Sequence, residues 1–384
     1  MQKKFQNYIM LLIVIMSISL VACTGGEKAS TPSNKDDDSP MNNNVTIEDD
    51  ELEEGDLEAD QDQDESPQEN EEQQSPVDLK AEKVNEIGKI MVLMYHEIGE
   101  EEDVWVRTPE NFRKDLKTLY DKGYRAISMK DYMKGNINIP LGTTPVVFTF
   151  DDGTKGQFNA LDDGDSFEVD PNSAVGIMED FYKEYPDFGL EGTFYVFYPA
   201  PFRQKEWITE KLEYLVDKGL EIGNHSYSHE NLRLDMSTKE HRDASFVQEA
   251  LGKNIKSTRE IIPGYEVDSL ALPYGAGPKD ELYDYVVKGS YEDIEYHNGA
   301  VLLVGANPAR PPYHTGANMA RVPRIRASEM ETENTGLYDW LEYFDNHPEE
   351  RYISDGDPNT ISFPKELEEF LEADEVGDKV IQSY

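Results

Sequence analysis

Two adjacent carboxylates stand directly after an apolar run of the sequence. Residues 145–150 are apolar except for one threonine, and the run stops at Asp151, Asp152 and Gly153. A run of β-branched and aromatic residues predicts a buried strand of an α/β sheet, and such folds hold their catalytic groups at the carboxyl edge of the sheet. At the end of a strand two neighbouring carboxylates can both turn toward one cavity, so that one binds a metal and the other serves as a general base. A helix-capping Asp followed by a turn glycine is the alternative that these residues leave open.

A pair of histidines follows another short strand signal. His225 and His229 come just after residues 219–224, and they are two of only seven histidines in the chain. A spacing of four places both imidazoles on one side of a helical turn, which is the geometry that a metal-binding pair needs. A pair of surface histidines is the alternative. A third strand signal, at residues 269–272, leads into Pro273-Tyr274-Gly275, which is either a loop at this same edge or a simple turn.

In this order the three stretches resemble the polysaccharide deacetylases, which are the NodB-like carbohydrate esterases. The Thr-Phe-Asp-Asp-Gly motif of that family stands complete at 149–153, and its His-Ser/Thr-x-x-His motif stands at 225–229. The resemblance spans residues 90 to 325 and implies a distorted (β/α) barrel. It also implies that Asp151 is the catalytic base and that the backbone N–H of Tyr274 stabilises the oxyanion. The implied ligands of a divalent metal, usually zinc but also cobalt, nickel or manganese, are Asp152, His225 and His229.

The sequence departs from the family pattern at two positions. Many members carry an arginine two residues before the proline of Pro-Tyr-Gly, where this chain has Ala271, and many end a late strand in Leu-Leu-His, where this chain has Val304. Residues 92–97 look like that second motif moved to the front of the domain, an order similar to the circularly permuted deacetylases of poly-N-acetylglucosamine. The resemblance therefore assigns the general acid to His96, unless this histidine only closes the barrel mouth. Arg324 is the candidate for the charge missing at 271, with a structural arginine as the alternative.

The resemblance implies hydrolysis of N-acetyl groups on an extracellular polysaccharide that contains N-acetylglucosamine, either an exopolysaccharide or the glycan of peptidoglycan. Two other classes stay open. One is a polysaccharide-binding protein on the same scaffold that no longer turns over, and the other is a hydrolase of O-acetyl esters or of another amide. Four aromatic residues in or near loops after strands are candidates for stacking on sugar rings or for packing at the barrel rim: Trp105, Tyr198, Phe202 and Trp207.

The first 80 residues carry targeting signals and no apolar pattern of a folded domain. Residues 1–22 contain two lysines and then an apolar run too short for a comfortable membrane span, which is typical of a signal peptide. Residues 20–23 look like the lipobox of bacterial lipoproteins, and Cys23 is the only cysteine, which excludes disulfides. A lipid on Cys23 would hold the protein at the outer face of the cytoplasmic membrane. Residues 23–80 are rich in acidic and polar residues and predict a disordered linker.

The charge of the chain limits its partners. The formal net charge is -43, and the segment beyond residue 80 is acidic as well as the linker. Nucleic acid and anionic membrane surfaces are disfavoured as partners because they would repel this charge. A neutral or amino-bearing polymer is compatible with it.

Strand and helix signals alternate beyond the linker and predict the elements that position the site. Helices are predicted at 109–123, 174–185 and 209–218, between the strand signals already described. This alternation predicts an α/β domain with a parallel sheet over residues 81–330, and the family resemblance selects a closed barrel. The acidic stretch 159–171 is predicted to be an inserted surface loop. Residues 331–384 are predicted to form a helical extension, with helices at 336–344 and 363–371, that packs on the barrel.

Overall fold

The structure is a computed structural model that describes residues 78–384. The predicted signal peptide, the lipid site at Cys23 and nearly all of the predicted linker lie outside the described residues. The strands are β1 (Met91–Tyr95), β2 (Glu97–Ile98), β3 (Val106–Arg107), β4 (Tyr124–Ala126), β5 (Thr144–Phe150), β6 (Ala160–Asp162), β7 (Phe167–Val169), β8 (Thr193–Val196), β9 (Glu221–Asn224), β10 (Ser269–Ala271), β11 (Lys288–Tyr291), β12 (Ile294–His297), β13 (Ala300–Leu302), β14 (Ile325–Arg326), β15 (Thr360–Phe363) and β16 (Val380–Ser383). The helices are α1 (Pro109–Asp121), α2 (Met129–Lys134), α3 (Ala174–Glu184), α4 (Ile208–Asp217), α5 (Ala244–Ile261), α6 (Asp284–Val287) and α7 (Leu337–Asn346). Between residues 78 and 384 no helix is both long and apolar enough to cross a membrane.

The main sheet is parallel and curls into a distorted barrel. Its strand order is β13-β10-β9-β8-β5-β1-β14, and β4 pairs with the first half of β5. Just before β14, Val322 forms a parallel bridge with Leu302 of β13, while β14 itself pairs with β1. The late segment 322–326 therefore links the two edges of the sheet, and the first and last strands are neighbours. The predicted α/β fold with its distorted (β/α) barrel is confirmed.

Alternation along β5 decides which side chains face the site. Every residue of β5 is buried, because helices cover one face of the sheet and the barrel interior covers the other. Phe148 and Phe150 pack on the outer side with the helices, whereas Val147 packs inside the barrel. Side chains two residues apart share a face of a strand. Thr149 and Asp151 therefore lie on the same inner side as Val147.

Helix α1 shows how the local sequence sets the ends of an element. Thr108 caps the helix, because its hydroxyl accepts a hydrogen bond from Asn111 N at 3.2 Å. Pro109 takes the first helical position, where a missing N–H costs no intrahelical bond. Gly123 follows the helix with a φ of 81°, a conformation that glycine adopts without strain. The helix predicted for 109–123 thus ends close to where its signals place it.

The C-terminal extension is less helical than predicted. Helix α7 forms as expected and buries Leu337, Leu341 and Phe344 in the outer core. The second predicted helix, 363–371, is instead the end of β15 followed by a 3-10 helix over Lys365–Phe370. The apolar residues Ile361 and Phe363 are both buried, and their spacing of two is the period of a strand. The apolar pattern of residues 363–371 did not indicate this strand. The strand β15 pairs in parallel with β16.

The acidic stretch 159–171 is a hairpin in which β6 and β7 pair antiparallel, and it is fastened by a buried lysine. Lys211 of α4 is 0 % exposed, and its Nζ donates to Phe158 O at 2.7 Å and to Gln204 Oε1 at 2.6 Å. Gln204 also donates from Nε2 to Ala160 O at 2.9 Å. The amine of Lys211 therefore ties helix α4 to the hairpin and to the loop that contains Gln204.

We expect this amine to make the stability of the protein depend on pH. Burial lowers the pKa of Lys211 from 10.5 to about 7, and the charge of Glu206 opposes this only in part. A neutral amine still has two N–H groups for its two acceptors. Between pH 7 and 10.5 the unfolded chain thus binds more protons at this position than the folded one, so the free energy of unfolding should rise with pH. Urea unfolding at pH 7 and at pH 10.5 should show a rise in the free energy of unfolding in the wild type and a smaller rise in Lys211→Met. Equal rises in the two proteins would contradict the expectation.

Candidate active site

The carboxyl ends of neighbouring strands bring the predicted site residues to one edge of the barrel. Parallel strands of such a sheet end at the same edge, so residues far apart in the sequence meet there. His96 follows β1, Asp151 and Asp152 follow β5, His225 follows β9, and Tyr274 comes shortly after β10. Arg324 is the exception, because it immediately precedes β14 and its long side chain reaches Asp151 from the start of that strand.

A sharp turn after β5 allows both carboxylates to face the barrel mouth. Asp152 has a φ of 78° and Gly153 a φ of 51°, which are both left-handed. Such values are uncommon for a residue with a side chain and are often kept at functional sites. Strict alternation would send the Asp152 side chain to the outer face, and the turn prevents this. A Cβ at position 153 would lie 3.2 Å from Val196 Cγ1, so a side chain there would be tightly packed as well as strained by its φ.

Asp152, His225 and His229 form one compact group. Asp152 Oδ1 lies 3.3 Å from His225 Nε2 and 3.2 Å from His229 Nε2. His225 Nδ1 lies 2.8 Å from Ala271 O. A carbonyl oxygen only accepts, so Nδ1 carries the proton and Nε2 presents a lone pair toward Asp152. Two acceptors facing each other at this distance repel unless a cation or a proton lies between them.

The donor set of this group matches a divalent cation. The buried Nε2 atom of His225 has no hydrogen-bond partner among the described residues. Asp152, His225 and His229 together offer two imidazole nitrogens and one carboxylate oxygen, all within 4.8 Å of one another. Zinc in catalytic sites takes three protein ligands of these types and keeps a further position open. The residues present therefore fit such a cation.

The two histidines converge through a turn and not through the helical turn that their spacing predicted. Ser226 and His229 have φ values of 55° and 59°. Ser226 N donates to Asn224 Oδ1 at 2.9 Å, and the Ser226 hydroxyl accepts from Glu230 N at 2.8 Å. Asn254 of α5 donates from Nδ2 to Ser226 O at 2.7 Å. Short polar side chains compete with helical hydrogen bonds in this way, and here they stabilise a turn.

The protonation states in this group suit metal binding. Burial lowers the pKa of His229 to about 4, and the proximity of His225 lowers it further, so the imidazole is neutral near pH 7. Burial alone would raise the pKa of Asp152, but the proximity of His225 outweighs burial and holds this pKa below its usual value. A neutral imidazole and an ionised carboxylate are the forms that bind metal.

Replacing His225 by alanine should remove metal binding and activity together. The variant loses one of three ligands, and even residues that only orient a ligand cost about 10–100-fold in metal affinity when they are changed. Metal content after dialysis, measured by mass spectrometry, tests this expectation. His297→Ala, at an exposed position of β12, is the matched control and should keep the metal. A His225→Ala variant that retains one metal per chain would contradict the metal site.

Arg324 and Asp151 form a buried pair on the inner side of the barrel. Arg324 Nη1 donates to Asp151 Oδ1 and Nη2 donates to Asp151 Oδ2, both at 2.7 Å. The guanidinium is held further by Thr149 Oγ1 at 3.1 Å and Leu303 O at 2.9 Å. Burial alone would raise the pKa of Asp151, but the charge of Arg324 outweighs it and holds this pKa well below its usual range. Arg324 thus lies beside Asp151 and supplies a positive charge there.

His96 also lies near Asp151. Its Nε2 atom is 3.9 Å from Asp151 Oδ2, which is longer than a hydrogen bond. The ring packs beside Trp105, with 4.7 Å between the ring centroids. Burial lowers the pKa of His96 below 6.5, although the charges of Asp151 and Asp152 oppose this. Near pH 7 the ring is therefore mainly neutral.

Tyr274 lies at the rim of the site. The segment Pro273–Gly275 is a single 3-10 turn in which Tyr274 has a φ of 60°. Its ring is 61 % exposed and lies 4.6 Å from the ring of His229, centroid to centroid. A side chain at Gly275 would come within 3.0 Å of Val304 Cβ, so this turn packs closely against the end of β13.

Two polar residues of the site carry no motif signal and were missed by the sequence analysis. Gln157 Nε2 donates to His96 O at 2.6 Å and also to Asp151 O, so it joins the ends of β1 and β5. Arg203 Nη2 donates to Asp152 O at 3.0 Å. Both act on backbone carbonyls, and such contacts depend on tertiary structure and leave no pattern in the sequence.

The four candidate aromatic residues differ in their exposure to solvent. Tyr198 and Phe202 are 5 % and 0 % exposed and belong to the outer core, so they cannot stack on a sugar. Trp207 packs against Phe167, with ring centroids 5.4 Å apart. Trp105 is 44 % exposed beside His96.

The chain is similar to a known protein family and to several solved structures. Residues 139–290 match the family model described as polysaccharide deacetylase. No curated protein matches the chain. The chain is similar to the solved structure of a polysaccharide deacetylase from Bacillus cereus, with 18% identity over 67% of this chain and 69% of that chain and a TM-score of 0.47. It is also similar to IcaB from Ammonifex degensii (18% identity, 65% of this chain, 96% of that chain, TM-score 0.44) and to a de-N-acetylase from Aggregatibacter actinomycetemcomitans (15% identity, 66% and 99%, TM-score 0.44).

The barrel and its Asp-His-His group define an α/β protein with a candidate metal centre at the carboxyl edge of its sheet. The segment matched by the family model contains Asp151, Asp152, His225 and His229. Residues 139–290 therefore match the polysaccharide deacetylase family, which is the family that the motifs predicted.

Proposed function

We propose that this chain is a metal-dependent hydrolase that removes N-acetyl groups from a polysaccharide containing N-acetylglucosamine. One observation carries the proposal: the Asp152-His225-His229 group meets the buried Asp151–Arg324 pair at one edge of the barrel. The first provides ligands for a cation, and the second provides an ionised carboxylate outside that ligand group. Hydrolysis of an amide needs both an electrophilic centre and a general base.

Zinc is the proposed cation, and cobalt, nickel or manganese are alternatives with the same ligands. When bound, such a cation polarises the acetyl carbonyl and lowers the pKa of water toward about 7. Asp151 then accepts the proton of the attacking water. Arg324 holds both oxygens of Asp151 in place and keeps the carboxylate ionised, so it is ready to accept that proton. The backbone N–H of Tyr274 is the proposed donor to the oxyanion.

His96 is the proposed general acid. The leaving nitrogen must gain a proton before the C–N bond breaks, and protonated His96 would donate it. The His96 ring lies beside Asp151, with Nε2 3.9 Å from Asp151 Oδ2.

We expect His96→Ala to lower turnover by about 10²–10⁴-fold, the usual contribution of a general acid, while the metal content stays unchanged. Steady-state rates of acetate release, with metal analysis of the same preparation, test this expectation. His241→Ala, at an exposed position, is the control. If turnover of His96→Ala equals that of the wild type, His96 only closes the barrel mouth.

The substrate and its location are proposals that rest on the sequence. The permuted order of motifs supports a poly-N-acetylglucosamine exopolysaccharide, and peptidoglycan glycan is the second candidate. The lipobox at residues 20–23 supports an anchor on Cys23 at the outer face of the cytoplasmic membrane, although this segment lies outside the described residues. The linker would give the catalytic domain reach toward such a polymer.

The binding-protein alternative rested on the changed positions Ala271 and Val304. Arg324 pairs with Asp151 from a different strand, and His96 lies near Asp151 at the end of β1. These positions support the proposal that Arg324 and His96 take the roles of the two missing side chains. Acetate release from N-acetylglucosamine oligomers, compared with release from O-acetylated xylan oligomers, tests the proposal. Faster release from the O-acetylated substrate would favour an esterase, and no release from either would favour a binding protein.

A further inference from the structure

A cavity of about 340 Å³ opens beside His96, and the proposed reaction does not use it. Its walls include Met94, Trp105, Val304, Arg326 and the loop 331–336. Met94, Trp105 and Arg326 also line the small space around His96. The cavity therefore shares its walls with the surroundings of the proposed general acid.

Trp105 is the exposed aromatic wall of this cavity. The side chain is 44 % exposed, although its ring packs beside His96 and lies 5.1 Å from the guanidinium of Arg326. Its backbone is fixed, because Trp105 O accepts a hydrogen bond from Glu97 N at 3.1 Å. An exposed indole in a fixed position can contact a ligand without first rearranging.

Hydrogen bonds of Arg107, two residues further along the chain, hold the segment that contains Trp105 in place. Arg107 donates from Nε to Asp115 Oδ2 at 2.8 Å and from Nη2 to Asp115 Oδ1 at 2.6 Å, and Asp115 is a buried residue of α1. Arg107 also donates to Glu329 Oε2 at 3.0 Å, just before the loop that forms the far wall. These bonds hold Trp105 in place before any ligand arrives, which lowers the entropy cost of binding.

Packing against Trp105 orients the imidazole of His96. Within residues 78–384 no hydrogen bond is made by either ring nitrogen of His96, and its nearest charged neighbour is Asp151 at 3.9 Å. General acids and bases in enzymes are commonly oriented by a hydrogen bond from a third group. In this site the packed indole of Trp105, and not a hydrogen bond, orients the His96 ring.

We propose that Trp105 binds a second sugar ring of the polymer, the unit next to the one that loses its acetyl group, and positions His96 at the same time. This inference rests on the proposed function. The cavity is of the size that protein ligand sites have. A pyranose has an apolar face of C–H groups, which matches the indole, and a polar edge of hydroxyls, which matches Thr332, Thr335 and the carboxylates of Glu331 and Glu333 in the loop wall.

The inference predicts that activity rises with the length of the oligomer and that this rise depends on Trp105. The test measures kcat and KM of the full-length, zinc-loaded chain on N-acetylglucosamine and on its tetramer. In Trp105→Ala the ratio of the two kcat/KM values, tetramer over monomer, should fall by about tenfold, as expected for the loss of one aromatic stacking contact. Trp105→Phe should retain most of the ratio. On the tetramer, kcat should also fall in Trp105→Ala and recover in Trp105→Phe, because only a ring can hold His96.

Two further variants accompany the test: one fills the cavity, and the other is a control away from it. Val304 is 42 % exposed on another wall of the cavity, so Val304→Phe should fill the cavity and lower the ratio, and its kcat on N-acetylglucosamine shows whether the neighbouring Tyr274 turn is preserved. Tyr182→Ala removes an aromatic side chain that is 40 % exposed on α3, and it should change neither kcat nor the ratio.

A binding measurement separates this inference from the proposed function. Calorimetric titration of the metal-free chain with the tetramer should show weaker binding in Trp105→Ala than in the wild type. That result supports the cavity even if no acetate is released. A length dependence and a tetramer affinity that are the same in Trp105→Ala, Val304→Phe and the wild type would overturn the inference, and acetate release that persists in all three would then leave the proposed function intact.

Discussion

Replacing Asp151 by asparagine is expected to lower acetate release by about 10²–10⁴-fold and to leave the bound metal at its wild-type level. Asparagine has nearly the same shape but cannot accept the proton of the attacking water. The amide oxygen can still accept one hydrogen bond from Arg324, and Asp152, His225 and His229 are untouched. Activity and metal content measured on the same folded preparation test the two parts of the expectation separately.

The matched control for this variant is Asp163→Asn, which changes an exposed carboxylate at the turn of the hairpin that β6 and β7 form. It should have wild-type activity. A fully active Asp151→Asn would contradict the assignment of Asp151 as the base. An Asp151→Asn variant that loses its metal would show that Asp151 belongs to the metal site instead.

Replacing Arg324 by methionine is expected to destabilise the protein by about 3–5 kcal/mol, because it leaves a buried carboxylate without its partner. Asp151 and Arg324 are 1 % and 0 % exposed, and they share two hydrogen bonds of 2.7 Å. Arg324 holds the pKa of Asp151 below its usual value, so the pair stabilises the fold at neutral pH. This contribution is lost only as the pH falls through the lowered pKa of Asp151. Urea unfolding at neutral pH measures the loss.

Arg321→Met is the matched control, because Arg321 pairs with Asp280 at 3.2 Å on the surface, with side chains 41% and 92% exposed. Such a surface pair contributes about 0–1 kcal/mol. The double variant Asp151→Asn/Arg324→Met should lose less stability than the sum of the two single losses, since no unpaired charge remains. An Arg324→Met variant as stable as Arg321→Met would contradict the account of the buried pair.

Much of the fold could be predicted because its strands and helices follow simple periods. The β5 run is apolar except for its two threonines, as expected for a strand buried on both faces, and α1 has a capping threonine, a proline at its start and a glycine after its end. The C-terminal extension was predicted less well. Its β15 and the 3-10 helix after it gain their structure from tertiary contacts, such as the packing of Phe363 against Ile87 and Tyr313.

The candidate site was predictable where chemistry requires particular residues at fixed spacing. The motif at 149–153 and the histidine pair identified Asp151, Asp152, His225 and His229 as a group, and the structure brings them together. The position of Arg324 followed only from noticing that a charge was missing at 271. Gln157 and Arg203 were not predictable, because both bind backbone carbonyls that the fold alone brings near. The turn at His225 was mistaken for a helical turn, because a spacing of four fits both.

Removal and return of the metal tests the central claim most directly. The chain would be treated with a chelator, dialysed and assayed for acetate release from N-acetylglucosamine oligomers before and after zinc is added back. The account predicts that release disappears with the metal and returns with zinc, and that His225→Ala shows no such return. Release that continues after the metal has been removed, or a chain that binds one zinc ion and releases no acetate, would contradict it.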